Sequence, residues 1–312
     1  MEKCGEGDAV FAKRWGWIWV GCLLTAVFTA GCRKKEAAST PKAVMVREDG
    51  KIEVVAATFN IRNENNGDLA DRSWPLRVER AVRLIRKIDP DVLGMQELTH
   101  GQAADLWASL PDFEFTGVAR EDGSRKGEYA GIFFKTTRFS RDESEGGTFW
   151  LSGTPAKPGS ATWGNTLPRV ATWMRLVDLQ TGRGFYVFNT HFDHRHQGSR
   201  EEAAVLIGRR IDSRKHPEEP VLLLGDFNAV ETNPAVAYLT GKPGPVAGAK
   251  RQWKNGLIDT FRTLHPAGNS PRTLHLWGRA NAGWKVDHIL VSKEAKIVRS
   301  DVVTDEAPFS SP

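Results

Sequence analysis

From Lys51 onward two hydrophobic patterns alternate along the chain. Short apolar runs read as strands: Ile52–Phe59, Val92–Met95, Gly131–Phe134, Thr148–Leu151, Val170–Leu179, Phe185–Asn189, Val221–Leu224 and Val286–Val291. Elsewhere apolar residues recur at helical spacing. Val78, Ala81, Val82, Ile85 and Ile88 mark a helix over Leu76–Ile88. Asp89-Pro90 ends it, because a residue before proline avoids the α region. Gln102–Leu110 and Arg200–Ile211 are further helix candidates. Strands outnumber helices, and Gly182-Arg183-Gly184 makes a turn between two of them, which argues against a simple parallel sheet.

Several apolar runs end in side chains able to bind metal or phosphate. Leu222-Leu223-Leu224 runs into Gly225-Asp226-Phe227-Asn228. On an extended backbone Asp226 and Asn228 would share one face, and taken alone the segment also suits a strand-terminating turn. KIEVVAATFN closes on Asn60, VLGMQE on Glu97, FYVFNTH on His191 and KVDH on His288. In this order the motifs TFN, QE, NTHFDH, GDFN, LID and VDHIL resemble the endonuclease/exonuclease/phosphatase superfamily, whose fold is like that of deoxyribonuclease I. The resemblance runs from about Lys51 to the C-terminus. It implies an α+β fold, a four-layered α/β/β/α sandwich of two packed mixed β-sheets flanked by helices.

The resemblance also implies roles. Glu97 is the principal metal carboxylate, with Asn60 close by and Asp287 joining directly or through water. Asp226 positions or deprotonates the attacking water, and Asn228 orients water and phosphate. His288 contacts the phosphoryl oxygens or acts as the base, and Asp259 is its orienting partner. His191 matches a second phosphate-binding histidine. Hard oxygen ligands without a Cys or His cluster point to Mg²⁺ or Mn²⁺ rather than zinc. Read from the residues alone, Asp259 is as well a helix N-cap before Thr260-Phe261. Asp193 and His194 are candidate phosphate contacts that could equally brace a turn, and Arg169 offers either a bidentate phosphate grip or a surface salt bridge. His196, His265 and His275 read as structural or solvent-exposed.

Composition changes this picture only at the N-terminus. The net charge of +5 over 312 residues is modest and scattered, so it supports an anionic substrate mildly and does not on its own support tight duplex binding. The three cysteines all lie within residues 1–32, which excludes disulfides, thiolate nucleophiles and Cys-based zinc from the body. Lys13-Arg14, an uncharged stretch from Trp15 to Gly31, and Ala30-Gly31-Cys32 resemble a lipoprotein signal over residues 1–32, although Thr29 stands where Leu is usual. An uncleaved membrane anchor is the alternative. Residues 33–50 read as a flexible tether and 51–312 as the catalytic domain, exported and membrane-anchored through an N-terminal lipid or helix. The expected partners are a phosphate-ester substrate, nucleic acid among the candidates, and the membrane through the N-terminal lipid or helix, with the chain a monomer.

Two Gly/Pro-rich stretches, Ser152–Arg169 and Pro266–Lys285, carry Trp163, Trp277 and Trp284. They read as ordered rims of a cleft, or as loops pinned by those rings. Thr148-Phe149-Trp150-Leu151 is the sole candidate for a membrane-dipping hairpin and reads better as a strand. Other function classes fit less well. Asn189-Thr-His191-Phe-Asp193-His194 falls one substitution short of the metallo-β-lactamase-fold signature, and the missing histidine is a zinc ligand. No Gly-x-Ser-x-Gly elbow serves a serine hydrolase. A non-catalytic binding module on the same fold would have little reason to keep costly acids at every site position.

Overall fold

The computed structural model describes residues 51–64, 72–265, 272–274 and 283–303. The Ala30-Gly31-Cys32 signal, the tether, His275 and Trp277 lie outside the described residues. Ten strands form two mixed sheets. The first holds β1 (Ala56–Asn60), β2 (Val92–Leu98), β3 (Phe113–Thr116) and β4 (Tyr129–Lys135), in the order β1-β2-β4-β3. The second begins with β5 (Phe139–Trp150), β6 (Val170–Asp178), β7 (Gly184–His191) and β8 (Val221–Asp226). A small hairpin, β9 (Gly244–Val246) and β10 (Ala249–Arg251), follows before β11 (Ile258–Asp259) and β12 (Asp287–Val291) complete the second sheet as β11-β12-β8-β7-β6-β5. The pairs β1·β2 and β7·β8 are parallel, and every other neighbour is antiparallel.

Three apolar cores set the layering. Val92, Ile132 and Phe134 of the first sheet meet Met174, Phe185, Val187, Leu222 and Leu224 of the second. The first sheet turns Leu93, Met95 and Phe133 to α1 (Trp74–Ile88) and α2 (His100–Ser109). The second turns Tyr186, Phe188 and Leu223 to α3 (Gln197–Asp212) and α4 (Pro234–Leu239). Strands such as β7 and β8 are therefore buried along their whole length. Apolar residues are needed on both faces there, which is why these strands read as continuous runs instead of alternating ones. The expected α/β/β/α sandwich is the observed architecture.

Local signals account for most boundaries. Thr99 and Gln102 cap α2 reciprocally, Thr99 Oγ1 accepting from the Gln102 N–H. His196, read as structural, caps α3 with Nδ1 accepting from Ser199 N–H at 3.1 Å. His265 holds the carbonyl of Ser300 at 2.8 Å. Thr148-Phe149-Trp150 ends β5, with Phe149, Trp150 and Leu151 all buried, so no hairpin is free there to enter a membrane. The Ser152–Arg169 loop closes on itself through Ser152 and Ser160 (Oγ–Oγ 2.6 Å), and Trp163 packs against the core beside α3. Among the described residues no helix is long and apolar enough to cross a membrane.

Between the sheets lies a buried polar seam. Asn189 on β7 donates to the carbonyls of Met95 (2.9 Å) and Gly131 (2.7 Å), and its Oδ1 accepts from Gln96 Nε2 at 2.7 Å. Gln96 Nε2 also reaches Thr58 Oγ1 at 3.0 Å. Gly94 is required opposite, because a Cβ there would sit 2.8 Å from Asn189 Oδ1 and 2.9 Å from Leu224 Cβ. Asn189, the position that would carry a zinc-binding histidine in the rival fold, is thus an inter-sheet bridge.

Candidate active site

Strand register gathers the acidic residues at one edge of the seam. In the second sheet His191 stands opposite Asp226, and Asp226 opposite Asp287. In the first sheet Asn60 pairs with Gln96, immediately before Glu97. The antiparallel β2·β4 ladder slips between Gln96 and Leu98, so Glu97 is the extra residue of a β-bulge, with φ of 61°. A bulge re-aims one side chain out of the alternation, and a non-glycine residue held at such a φ costs on the order of 1–3 kcal/mol, a strain found most often at functional sites.

Asn60 joins the two sheets' acids. Its Nδ2 donates to Glu97 Oε1 at 2.8 Å and to Asp226 Oδ2 at 2.9 Å, while its Oδ1 accepts from Arg62 N–H at 2.9 Å. That backbone donor fixes the amide's orientation. Asn60 therefore offers the acids hydrogen bonds and not an oxygen. Asn63 N–H donates to Glu97 Oε2 at 3.2 Å.

Asp226 and Asn228 do meet, though by a turn and not by strand alternation. The strand ends at Asp226, Asn228 takes φ of 44°, and its N–H donates to Asp226 Oδ1 at 2.8 Å. Asparagine tolerates this left-handed conformation better than most residues. Burial raises the Asp226 carboxyl above its ordinary range and Glu97 adds to the rise, against hydrogen bonds from Asn60 and Asn228. Asp287 is raised by burial and by Asp226, and its Oδ1 is buried with no hydrogen-bond partner.

His191 sits between the acids and a buried guanidinium. Arg169 NH1 lies 3.1 Å from His191 Nδ1, and NH2 lies 3.0 Å from His194 Nδ1. A guanidinium only donates, so Nδ1 of His191 accepts and Nε2 carries the hydrogen. That Nε2 lies 3.8 Å from Asp226 Oδ2 and 2.9 Å from Asn228 Nδ2, itself a donor to the carbonyl of Phe192 at 3.0 Å, so two donors face each other there. Burial, then Arg169, depresses the His191 pKa and keeps the ring neutral. Arg169 is thus no surface salt-bridge residue. Asp193 braces the following turn, Oδ1 accepting from the N–H groups of Arg195 (2.9 Å) and His196 (2.7 Å), while Oδ2 lies 3.7 Å from Arg169 Nε.

His288 is wholly buried and stacks on Phe227 at 5.0 Å. Nε2 lies 2.9 Å from the carbonyl of Ala229, which can only accept, so Nε2 carries the hydrogen. In the neutral ring Nδ1 then accepts from Lys285 Nζ at 2.9 Å, and Asp259 Oδ2, itself an acceptor, lies 3.1 Å from the same nitrogen. Lys285 Nζ in turn contacts Asp259 Oδ2 at 2.5 Å and Glu231 Oε1 at 3.3 Å. Asp259 is also the N-cap of α5 (Thr260–Leu264), Oδ1 accepting from Arg262 N–H at 3.0 Å, so it caps a helix as well as contacting His288. Burial alone would raise the Asp259 carboxyl. The contact with His288 and the charge of Lys285 outweigh it and hold the carboxyl well below the ordinary range.

Sequence reasoning missed Lys285, Arg120, Glu128 and Asn63. Arg120 NH1 binds Glu128 Oε2 at 2.6 Å, and Glu128 Oε1 accepts from Asn63 Nδ2 at 2.6 Å. No periodicity or motif singles these residues out, except that Lys285 opens the segment KVDH.

Glu97, Asp226 and Asp287 form an all-oxygen donor set whose negative charges disfavour one another, with one buried carboxylate oxygen lacking a partner. Such a set fits a divalent cation of the Mg²⁺ or Mn²⁺ kind. The acids stand apart, with the Asn60 amide between two of them. Among the described residues the tight trio of potential ligands is elsewhere, at His216, Glu218 and Glu219. There Glu219 is already bound to Arg175, Oε2 accepting from Nε at 2.7 Å.

Residues 57–310 match the model of the Endonuclease/Exonuclease/phosphatase family. Among solved structures, an endonuclease/exonuclease/phosphatase from Bacteroides vulgatus is 33% identical, with a TM-score of 0.69 over 78% of this chain and 88% of that one. A mannosyl-6-phosphatase of Bacteroides thetaiotaomicron is 30% identical, with a TM-score of 0.66 over 78% and 86%. The catalytic domain of human nocturnin, at 19% identity and a TM-score of 0.57 over 76% and 80%, shares the fold. No curated protein matches the sequence.

Proposed function

The chain belongs to the endonuclease/exonuclease/phosphatase family, and from that premise we propose that it is a divalent-metal-dependent phosphoesterase that hydrolyses its substrate with water. The observation that carries the reading is the convergence of Glu97, Asp226 and Asp287 from two sheets at one edge of the seam, one of them with an unpartnered buried oxygen. The name of the mannosyl-6-phosphatase relative supports phosphoester chemistry.

Glu97 and Asp287 would hold Mg²⁺ or Mn²⁺, which offsets phosphoryl charge and makes bound water more acidic. The chain's own residues do the rest. Asp226, raised by burial, orients the attacking water and takes its proton. The Nε2–H of His191, set against the Asn228 amide nitrogen and 3.8 Å from Asp226, would donate to a phosphoryl oxygen. Asn228 and Asn60 position Asp226. His288 offers its Nε2–H once the imidazole exchanges the Ala229 carbonyl for a phosphoryl oxygen; hydrogen bonds of this kind often tighten only with substrate.

The full-length chain should hydrolyse a chromogenic phosphoester with Mg²⁺ or Mn²⁺ and lose that activity in chelator. Undiminished turnover after exhaustive chelation and dialysis overturns the metal-dependent reading. A panel of single-stranded DNA, RNA, duplex DNA, sphingomyelin, phosphoinositide and sugar phosphate then identifies the substrate. We further propose anchoring through Cys32. In a bacterial host the protein should partition with membranes and change form on Cys32→Ser; acyl labelling unaffected by that change argues for the uncleaved anchor.

A further inference from the structure

The charge of the chain has a local excess. Between Glu231 and Asp259 stand four basic residues, Lys242, Lys250, Arg251 and Lys254, and no acidic one, in a protein whose net charge is only +5. The fold brings two of them to one place. Outside the second sheet, α4 and the β9–β10 hairpin enclose a cleft of about 210 Å³ whose walls include Thr232, Tyr238, Lys242, Pro243, Pro245 and Arg251. Arg251 pairs with Gly244 across the hairpin, beside the segment that carries Lys242 and Pro243. Among the described residues neither cation has a carboxylate in ion-pair contact, and the hydroxyls of Thr232 and Tyr238 make no hydrogen bond. Asp212, close enough to act on Tyr238, is taken up elsewhere. Its oxygens accept from Trp253 Nε1 at 3.0 and 2.9 Å and from Asn255 Nδ2 at 2.8 Å.

The cleft is built without a ligand. Ala247 and Gly248 turn the hairpin with φ of 50° and 70°, both positive as the tightest hairpin turns require. Alanine is strained there, and its N–H is held by Glu201 Oε2 of α3 at 2.8 Å. Gln197 Nε2 donates to the other oxygen of Glu201 at 2.8 Å. Gln197 also exchanges amide hydrogen bonds with Asn233, the N-cap of α4, at 3.1 and 2.8 Å. Tyr238 is backed by Trp253, the ring centroids 6.2 Å apart. Hairpin and helix are thus fixed relative to each other, so a ligand entering between them has little left to order.

We propose that this cleft binds a phosphorylated small molecule, with the phosphate between Lys242 and Arg251 and the organic part against Pro243 and Pro245. Charge selects the phosphate. An ammonium and a guanidinium left without counter-ions repel each other until an anion joins them, and a guanidinium can grip two phosphate oxygens at once. Volume selects small size, because the cleft falls below the ~300 Å³ at which pockets for drug-sized ligands begin. No residue of the cleft belongs to the catalytic centre. The inference therefore goes beyond the phosphoesterase reading and does not depend on it.

The test titrates glucose 6-phosphate into the full-length protein by calorimetry, with chelator present. Binding should saturate, and glucose should not bind. Arg251→Gln should weaken binding roughly 10- to 100-fold, the range for loss of a charged hydrogen-bond donor, and His191→Ala should leave it unchanged. Absence of saturable binding to the wild type overturns the proposal, as does an affinity untouched by Arg251→Gln. Equal binding of glucose overturns it, because charge would then play no part. Binding that His191→Ala abolishes puts the anion in the catalytic centre and overturns it too. So does binding of a single-stranded oligonucleotide, sensitive to Arg251→Gln, without binding of glucose 6-phosphate, which makes the basic segment a polyanion surface. Lys242→Gln, at an exposed position, reads the same interaction if the arginine variant does not fold.

Discussion

Lys285 Nζ lies 2.9 Å from Nδ1 of His288 and 2.5 Å from Oδ2 of Asp259, the carboxylate expected to orient that ring, which itself lies 3.1 Å from Nδ1. The Asp–His pair is here a triangle, with the Lys285 ammonium in contact with both the carboxylate and the ring.

If so, the three residues act as one unit, and their losses should not add. His288→Ala should cost on the order of 4 kcal/mol or more of transition-state stabilisation. Asp259→Asn and Lys285→Met should each cost less, because the imidazole remains but loses its fixed tautomer. The Asp259→Asn/His288→Ala double variant should be scarcely worse than His288→Ala alone in kcat/KM. Full additivity would reduce Asp259 to a helix cap.

Stability should depend on pH and metal together. The carboxyls of Asp226 and Asp287 are raised above 3.8. Between that value and the raised one the folded state binds more protons than the unfolded chain, so stability falls as pH rises. Asp259 has the opposite sign, but its stabilising share is lost only at strongly acidic pH. His191 and His194, both depressed, oppose the fall by adding stability as pH rises toward 6.5, so the clean readout is the metal increment: Mg²⁺ should raise Tm more at pH 8 than at pH 5, because it competes with the protons on the acids. Equal increments at both pH values would contradict this.

Glu97→Gln should separate metal binding from folding. Glu97 adds to the rise of both Asp226 and Asp287, so neutralising it should leave the metal-free Tm unchanged or higher. Turnover at fixed Mg²⁺ should fall by about 100-fold or more, the several kcal/mol a metal supplies to developing charge. A large drop in metal-free Tm would instead make Glu97 a structural residue.

Gly94→Ala tests the seam. The added methyl would press on Asn189 and Leu224, paired neighbours on the facing sheet. Overpacking of this kind costs about 1–3 kcal/mol, and urea unfolding should show it together with reduced activity. Wild-type stability in the variant would mean that the sheets pack less tightly there.

Most of the second sheet was legible because strands buried on both faces must be apolar throughout. The polar first half of β5, with its bulge between Arg141 and Gly146, carries no such signal and escaped notice. So did β3, α4 and the β9–β10 hairpin, each too short to display a period. The site was legible where a motif closes a strand, as at Glu97, Asp226 and His191. Lys285 and Arg120 acquire their meaning only from partners distant in sequence, Glu231 and Asp259 for one, the neighbouring charge of Arg169 for the other. Asp226 and Asn228 were paired correctly by an argument from extended backbone that the turn at Asn228 replaces.

The chain completes its first sheet before it begins its second, and the only covalent link between them is the short turn after Lys135. Asn60 and Glu97 lie on one side of that link; Asp226, Asp287 and both site histidines lie on the other. The gene could therefore be split at Thr137 into two fragments, each carrying a whole sheet and neither carrying a whole site. Catalysis would then work as a complementation signal: silent in either fragment, restored only when the Asn189 amide finds Met95 and Gly131 across the re-formed interface.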